Sequence, residues 1–166
     1  MGNDHIDTVT ITLPQMANKS GFGAAFTAIL DTFDISYDIN PTGGTSMTFS
    51  IPVPQDAPER EAYRKNRILP ALKAMKKLTV HGELYEMQED PEWAQDCAAI
   101  SIIGNELISQ SGILGRIAGV LGRHGIDIKA VAQDMKQGRV TFLIDSRQRE
   151  KAERELHREF FGKKAT

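Results

Sequence analysis

The stretch SGILGRIAGVLGRHGIDIKA, residues 111–130, decides the fold because an earlier stretch of the chain repeats its pattern. The earlier stretch is SGFGAAFTAILDTFDISYDI, which begins at residue 20, so the offset from 20 to 111 is 91 residues. Both open with Ser-Gly, and the apolar positions that follow coincide without a gap, as Phe26 does with Ile117. Self-similarity at a constant offset is typical of a repeated structural unit. The sequence therefore predicts two copies of one unit.

Each copy alternates predicted strands and helices. TVTITL (8–13) alternates apolar and polar residues, and CAAISIIG (97–104) is its more continuously apolar counterpart, so both are predicted strands. Apolar residues then recur at helical spacing, which predicts a helix with one buried face. They are Phe22, Phe26, Ile29, Leu30 and Phe33 in the first copy, and Ile113, Ile117, Val120 and Leu121 in the second. Two further strands are predicted in each copy, at ISYDI and TSMTFSIPV, then at GIDIKAVA and RVTFLID.

A second helix follows in both copies. It is predicted at 59–75, where Pro70 should kink or interrupt it, and at 149–161, where Gly162 should end it. The first copy then has a predicted fourth strand, KLTVHGELYEM, and the acidic stretch QEDPEWAQD links the copies. The second copy lacks its own last strand, which indicates strand sharing between copies or chains, or a boundary further upstream.

The order βαββαβ, then βαββα, predicts an α+β fold of two ferredoxin-like units. Each unit should carry two helices on one face of an antiparallel sheet. The first unit is placed at residues 1–90 and the second at residues 91–166.

Composition excludes several function classes. Lys and Arg number 20 against 22 Asp and Glu, so no basic excess indicates a nucleic-acid binder. The single cysteine, Cys97, excludes an internal disulfide and fits a cytoplasmic protein. Neither a leader-like start nor an apolar run of about 18 residues occurs, so no signal peptide and no membrane span are predicted. The histidines lack metal-ligand spacing, and Ser20 and Ser111 lack a recognisable base, so no metal, cofactor or catalytic residue is predicted.

The glycines of the second copy have different predicted roles. No G-x-G-x-x-G pattern occurs, which argues against a dinucleotide-binding loop. Gly112, like its counterpart in the first copy, lies where the chain enters a helix and free backbone N–H groups can meet an anion. Gly119 is interpreted as allowing close packing of helix and sheet, and Gly125 as ending the helix in a left-handed conformation. Gly115 and Gly122 receive no role from the sequence.

The paired βαββαβ pattern, with a Ser-Gly-apolar turn before each first helix, resembles tandem ACT domains. It is most similar to the C-terminal regulatory region of aspartate kinase, in the lysine-sensitive, monofunctional branch. The segments that carry the resemblance are MANKSGFGAAFTAILDTFDISYDINPT (16–42), AISIIGNELISQSGILGRIAGVLGRHGIDI (99–128) and AERELHREFF (152–161). The nucleotide loop K-F-G-G-S/T of the kinase is absent, so the chain is predicted to be a regulatory domain or subunit and not an enzyme.

The resemblance implies that an inhibitory amino acid binds at the interface between two first copies. It therefore implies a homodimer, with an aspartate kinase catalytic domain or subunit as a further partner. Matched by motif, the implied ligand-binding residues are Met16, Lys19, Ser20, Gly21, Phe22, Gly23, Ser36, Tyr37, Asp38 and Thr42. Backbone N–H groups near Phe22 and Gly23, at a helix start, suit a carboxylate, and Asp38 suits an ammonium group.

The second copy carries Lys129 where the first carries Asp38, and a lysine has the wrong charge for an ammonium group. We therefore expect the first copy to bind the effector and the second to be structural, with Asp127 and Gln133 as a weaker alternative site. Lysine-responsive members often have Ser-Glu where this chain has Gly43-Gly44, and that glutamate would meet the ammonium of a lysine side chain. Its absence argues against lysine, so lysine, threonine and other amino acids all stay open as effectors. The hypothesis is an allosteric module for feedback control of aspartate kinase. The alternative is a ligand-independent interaction or dimerisation protein.

Overall fold

The computed structural model describes residues 5–38, 41–104, 110–134 and 138–162, and these residues form two compact units. The first unit is His5–Gln95, and the second begins at Asp96. Both units combine antiparallel strands with helices. The predicted α+β fold class is confirmed.

The first unit is built on a sheet and a separate hairpin. Its elements are β1 (Ile6–Thr12), α1 (Phe22–Thr32), β2 (Ser46–Pro52), α2 (Ala57–Tyr63), α3 (Leu69–Met75), β3 (Lys77–Val80), β4 (Glu83–Glu86) and the beginning of β5 (Glu92–Ile103). Strand β1 lies between β2 and β5, and its pairing with β2 runs antiparallel from Ile6 opposite Pro52 to Thr12 opposite Ser46. Strands β3 and β4 pair only with each other among the described strands.

The second unit continues β5 from Asp96. It adds α4 (Ile113–Arg123), β6 (Ile128–Asp134), β7 (Arg139–Asp145) and α5 (Arg149–Phe161). Strand β7 lies between β5 and β6 and is antiparallel to both, with Cys97 opposite Asp145 at one end of the β5 pairing.

The helical faces predicted from spacing are the faces that are buried. Phe22, Phe26 and Leu30 of α1 are at most 2% exposed, and Ile29 and Phe33 pack at the margin of the same core. All four predicted residues of α4 are buried in a core that belongs to the second unit. Each unit therefore has its own hydrophobic core, consistent with a repeated unit.

The helix predicted at 59–75 is interrupted, as expected from Pro70. A π-helical turn, Arg64–Ile68, separates α2 from α3, and Pro70 occupies the first turn of α3. A proline in a helix has no N–H for the carbonyl four residues earlier, and its ring crowds that carbonyl. The widened turn accommodates both effects.

The strand predicted at ISYDI is wrong for the residues that the structure describes there, 35–38. The amide of Ile35 donates to the carbonyl of Leu30 at the end of α1 (2.9 Å), so it is unavailable for strand pairing. The amide of Asp38 reaches the carbonyl of Ser50 on β2 (3.0 Å), and Pro41 has no N–H to extend the pairing. Residue 39 lies outside the described residues.

The predicted fourth strand KLTVHGELYEM is also wrong, because this segment is the hairpin β3–β4. His81 and Gly82 connect the two strands and both have positive φ, 51° and 82°. Two successive residues of positive φ are the requirement of a type I′ two-residue hairpin turn. The stretch QEDPEWAQD is not simply a linker either, since β5 begins within it at Glu92 beside β1.

The roles predicted for the glycines in and after the helices of the second unit are confirmed only in part. Gly125 follows the helix with φ 67°, as predicted, and Gly162 lies at the end of α5. The close-packing role predicted for Gly119 is wrong within the described part of the chain, because the nearest atom there to the position that a Cβ would take is the tip of the Arg123 side chain, at 3.4 Å. A flexible side-chain end at that distance imposes no close approach of helix and sheet.

Candidate functional site

Helix α1 begins against the hairpin of the first unit. Gly21 precedes the helix with φ 95° and no side-chain hydrogen bond caps the helix start. A Cβ at Gly21 would lie 2.8 Å from Nε2 of His81 and 2.9 Å from Cγ1 of Val80. Glycine is therefore required here both by the left-handed backbone and by the close approach of the hairpin.

The hairpin and the turn before α1 enclose a pocket of about 320 Å³. Its lining residues are Asn18, Lys19, Ser20, Phe22, Val80, His81, Glu83 and Tyr85. Lys19, Ser20 and Phe22 belong to the set predicted from the sequence. The pocket therefore contains part of the predicted site, together with hairpin residues that the sequence did not indicate.

Three polar groups meet at this pocket. Lys19 Nζ donates a hydrogen bond to the Tyr85 hydroxyl oxygen (3.1 Å), and the Tyr85 hydroxyl donates to the Glu83 carboxylate. Lys19 Nζ also lies 3.7 Å from Glu83 Oε2 and 5.3 Å from the centre of the Tyr85 ring. The edge of one ring meets the face of the other where Tyr85 contacts Phe22, with centroids 4.9 Å apart. The Tyr85 ring thus lies between the apolar ring of Phe22 and the charged groups of Lys19 and Glu83.

The hydroxyl of Tyr85 shifts the pKa of both charged groups. Its hydrogen bond is the largest cause that raises the pKa of Lys19, with the Glu83 charge acting in the same direction. The Tyr85 hydrogen bond is likewise the largest cause that lowers the pKa of Glu83, followed by the charge of Lys19. Both groups are therefore ionised at neutral pH, and the pocket presents one positive and one negative charge.

A second polar pair lines another part of the pocket. Ser20 Oγ lies 3.4 Å from Nε2 of His81, a long hydrogen bond whose direction depends on the histidine tautomer. Together with Phe22 and Val80, this pair gives the pocket a mixed lining of polar and apolar atoms.

A second, shallower pocket of about 540 Å³ lies along the outer face of α1. It is lined by Ala24, Thr27, Ala28, Asp31, Ile35, Ser36 and Tyr37. The Tyr37 ring meets Phe49 edge-on with centroids 5.2 Å apart, which positions the ring beside β2. Within one chain, the predicted residues Ser36 and Tyr37 therefore line a different pocket from Lys19 and Phe22.

The remaining predicted residues of the first copy lie outside both pocket linings. Met16 is 8% exposed and packs in the core. A Cβ on Gly23 would lie 3.6 Å from Cε of Met47, whose backbone forms an isolated bridge with Thr42. Asp38 is exposed.

The helix start of the second copy is different. Gly112 precedes α4 with φ 82°, but no described atom lies within 4 Å of the position that its Cβ would take. Asp127, Lys129 and Gln133 are exposed or partly exposed. Among the described residues, the second copy therefore has the same turn before its helix, but no hairpin packs close to that turn as β3–β4 does in the first copy.

Sequence reasoning missed the four hairpin residues of the pocket, Val80, His81, Glu83 and Tyr85. A signal was present: His81-Gly82 separates two short runs with alternating apolar residues, which is the pattern of a two-residue hairpin. Treating KLTVHGELYEM as one strand concealed it.

The described part of the chain offers neither a metal cluster nor a membrane-spanning helix. These residues contain no group of three or more His, Cys, Asp or Glu that could hold a metal ion. No helix within them has the length and apolar character needed to cross a membrane.

Residues 100–160, which lie in the second unit, match the family described as ACT domain. Aspartate kinase FUB3 of Gibberella moniliformis is 31% identical over 70 residues, which is 42% of this chain and 14% of that protein. This chain thus spans only a small part of the curated relatives that it matches.

Solved structures extend the likeness to nearly the whole chain. The regulatory subunit of aspartate kinase from Thermus flavus superposes with a TM-score of 0.69 at 20% identity, covering 95% of this chain and 93% of that one. Aspartokinase III of E. coli, in complex with lysine and aspartate, gives 0.66 at 21% identity, covering 95% of this chain and 31% of that one. These likenesses show a shared fold. The predicted resemblance to ACT domains and to the regulatory region of aspartate kinase is confirmed.

Proposed function

We propose that this chain is an allosteric regulatory module that binds a free amino acid through its first unit. The amino acid is lysine or threonine, and the regulated activity is that of an aspartate kinase in the cytoplasm. The chain itself has no catalytic role in this proposal. The observation that carries it is the pocket at the start of α1, which holds opposite charges beside uncapped backbone N–H groups.

The chemistry of a free amino acid suits this region. Its carboxylate is favoured near the first amides of α1, because the positive end of the helix dipole and unpaired N–H groups meet there. Asp38 is proposed to receive the α-ammonium group across an interface between two first units. Thr42, in the following loop, is proposed to approach the ligand from the partner chain.

Two comparisons support this function. One structural neighbour that nearly matches this chain in extent is a regulatory subunit of aspartate kinase, and another was solved with lysine bound. A module of this fold therefore occurs as a separate regulatory chain. In the present chain, effector binding would act by favouring one arrangement of the dimer over another, and a kinase partner would respond to that change.

A thermal-shift screen of the proteinogenic amino acids tests the proposal. A ligand present at 100 times its dissociation constant should add about 2.7 kcal/mol to the free energy of unfolding. Asp38→Ala should abolish the response, while Lys129→Ala, the equivalent change in the second copy, should leave it intact. If no amino acid stabilises a chain that remains dimeric, the module is an interaction protein and not a sensor.

A further inference from the structure

We propose that Glu83 and Tyr85 form a subsite for the terminal ammonium group of a basic amino-acid effector, at the position that the ammonium of Lys19 occupies in this structure. The inference rests on the proposed function and deepens it. It assigns to the hairpin the choice between a basic and a neutral effector side chain.

The side chain of Lys19 demonstrates the chemistry of this subsite. Its ammonium group meets the Tyr85 hydroxyl oxygen at 3.1 Å and the Glu83 carboxylate at 3.7 Å, and it lies 5.3 Å from the ring centre. A hydroxyl acceptor, a carboxylate and an aromatic face are partners that suit a primary ammonium group in proteins. The side chain of free lysine ends in the same group.

The ring of Tyr85 is held in place on the hairpin, whereas the side chain of Lys19 is not. Tyr85 packs on Phe22, and Tyr85 lies opposite Leu78 in the β3–β4 pairing. The side chain of Lys19 is 54% exposed and extends from the turn before α1. Exposed ion pairs of this kind contribute little to stability, so a ligand can displace Lys19 into solvent at little cost.

The charge balance of the pocket favours a basic ligand. Among the described residues that line it, Glu83 supplies the carboxylate and Lys19 the ammonium group. Once Lys19 moves into solvent, the lining offers that carboxylate no lysine or arginine partner until the ammonium of the ligand replaces it. A neutral effector side chain would leave the carboxylate without this compensation.

Calorimetric titration of the full chain with L-lysine and L-norleucine tests the subsite, because norleucine has the same carbon chain without the terminal amine. The wild-type chain should bind L-lysine at least about tenfold more tightly than L-norleucine. Glu83→Gln should remove that difference, and Tyr85→Phe should reduce it while keeping the ring. Lys19→Met should strengthen L-lysine binding, since it removes the competing ammonium.

The matched control is Glu86→Gln, on the same hairpin. Glu86 forms an exposed ion pair with Lys77 at 2.8 Å and does not line the pocket, so its substitution should leave both affinities unchanged. Equal binding of the two ligands by the wild-type chain overturns the subsite, whether or not the variants fold. A response to threonine alone also overturns it and leaves the proposed function standing, while a wild-type chain that binds no amino acid overturns both.

Discussion

Asp7 is a buried carboxylate on β1 that the alternation of TVTITL did not reveal. Arg64 donates two hydrogen bonds to it, from Nε (2.9 Å) and Nη2 (2.7 Å), and Trp93 Nε1 donates a third (3.0 Å). Asp7 is fully buried and Arg64 is 4% exposed. Residues from β1, the π-helical turn and the beginning of β5 therefore meet at one carboxylate. Because they are far apart in sequence, no local pattern could predict the contact.

We expect Asp7→Ala to lower the free energy of unfolding by about 3 kcal/mol, the lower end of the range for a broken buried ion pair, because the buried guanidinium of Arg64 loses this carboxylate while its contact with the largely exposed Glu61, at 2.8 Å, remains. Trp93→Phe removes one hydrogen bond and should cost about 1 kcal/mol. Urea denaturation followed by circular dichroism measures both. Glu86→Gln, which breaks an exposed ion pair, should change stability by less than about 1 kcal/mol. A loss for Asp7→Ala as small as that of the exposed pair would mean that Glu61 or water compensates the charge of Arg64.

At the scale of elements, the spacing of apolar residues predicted the helix faces that are buried in the structure. The buried faces of α1 and α4 were predicted because a 3.6-residue period appears directly in the sequence. The interruption at Pro70 was predicted because proline restricts the backbone locally. The β3–β4 hairpin was not predicted, because a histidine with positive φ is an uncommon first residue of a two-residue hairpin turn. The alternation of apolar residues also continues across His81 and Gly82.

The turn between β7 and α5 is where stability should depend on acid. Asp145, at the end of β7, accepts hydrogen bonds from the Arg147 amide (2.9 Å), Nε (2.9 Å) and Nη2 (2.6 Å). The side-chain bonds of Arg147 are the largest cause that lowers the pKa of Asp145 to about 2, and its amide bond is the next. A carboxyl group with a lowered pKa stabilises the fold while it is ionised.

We therefore expect Asp145→Asn to be less stable than the wild type by up to about 1 kcal/mol at neutral pH. The difference should persist down to the ordinary pKa of 3.8, shrink as the pH falls further, and vanish near pH 2. Urea unfolding of both proteins between neutral pH and about pH 2 measures it. Arg147→Gln should reproduce the pH dependence. A difference that is the same at every pH would show that the charge of Asp145 does not contribute.

At the scale of the whole molecule, the repeat predicted two units but not the pocket. The site residues Lys19, Ser20 and Phe22 were accessible through the motif before α1. Glu83 and Tyr85 were not, because they reach the pocket only through the approach of the hairpin to Gly21. The proposal that only the first copy binds the effector thus depends on the β3–β4 hairpin, which the duplicated sequence pattern does not include.

The two hydrophobic cores lead to a prediction about local stability. Phe26 is fully buried in the core of the first unit and Leu121 in that of the second. Truncation to alanine should cost about 3–5 kcal/mol for Phe26 and about 2–5 kcal/mol for Leu121. Amide hydrogen exchange reports the free energy of local opening, so it shows which unit loses stability.

Phe26→Ala should accelerate exchange in α1 and β2, and Leu121→Ala in α4 and β7, each with little change in the other unit. Strand β5 provides an internal control, because residues 92–95 belong to the first unit and those from Asp96 to the second. Exchange along this strand should change on one side of residue 96 only, on the side of the substituted core. Acceleration of equal size in both units by either substitution would show that the chain unfolds as one cooperative structure, in spite of its separate cores.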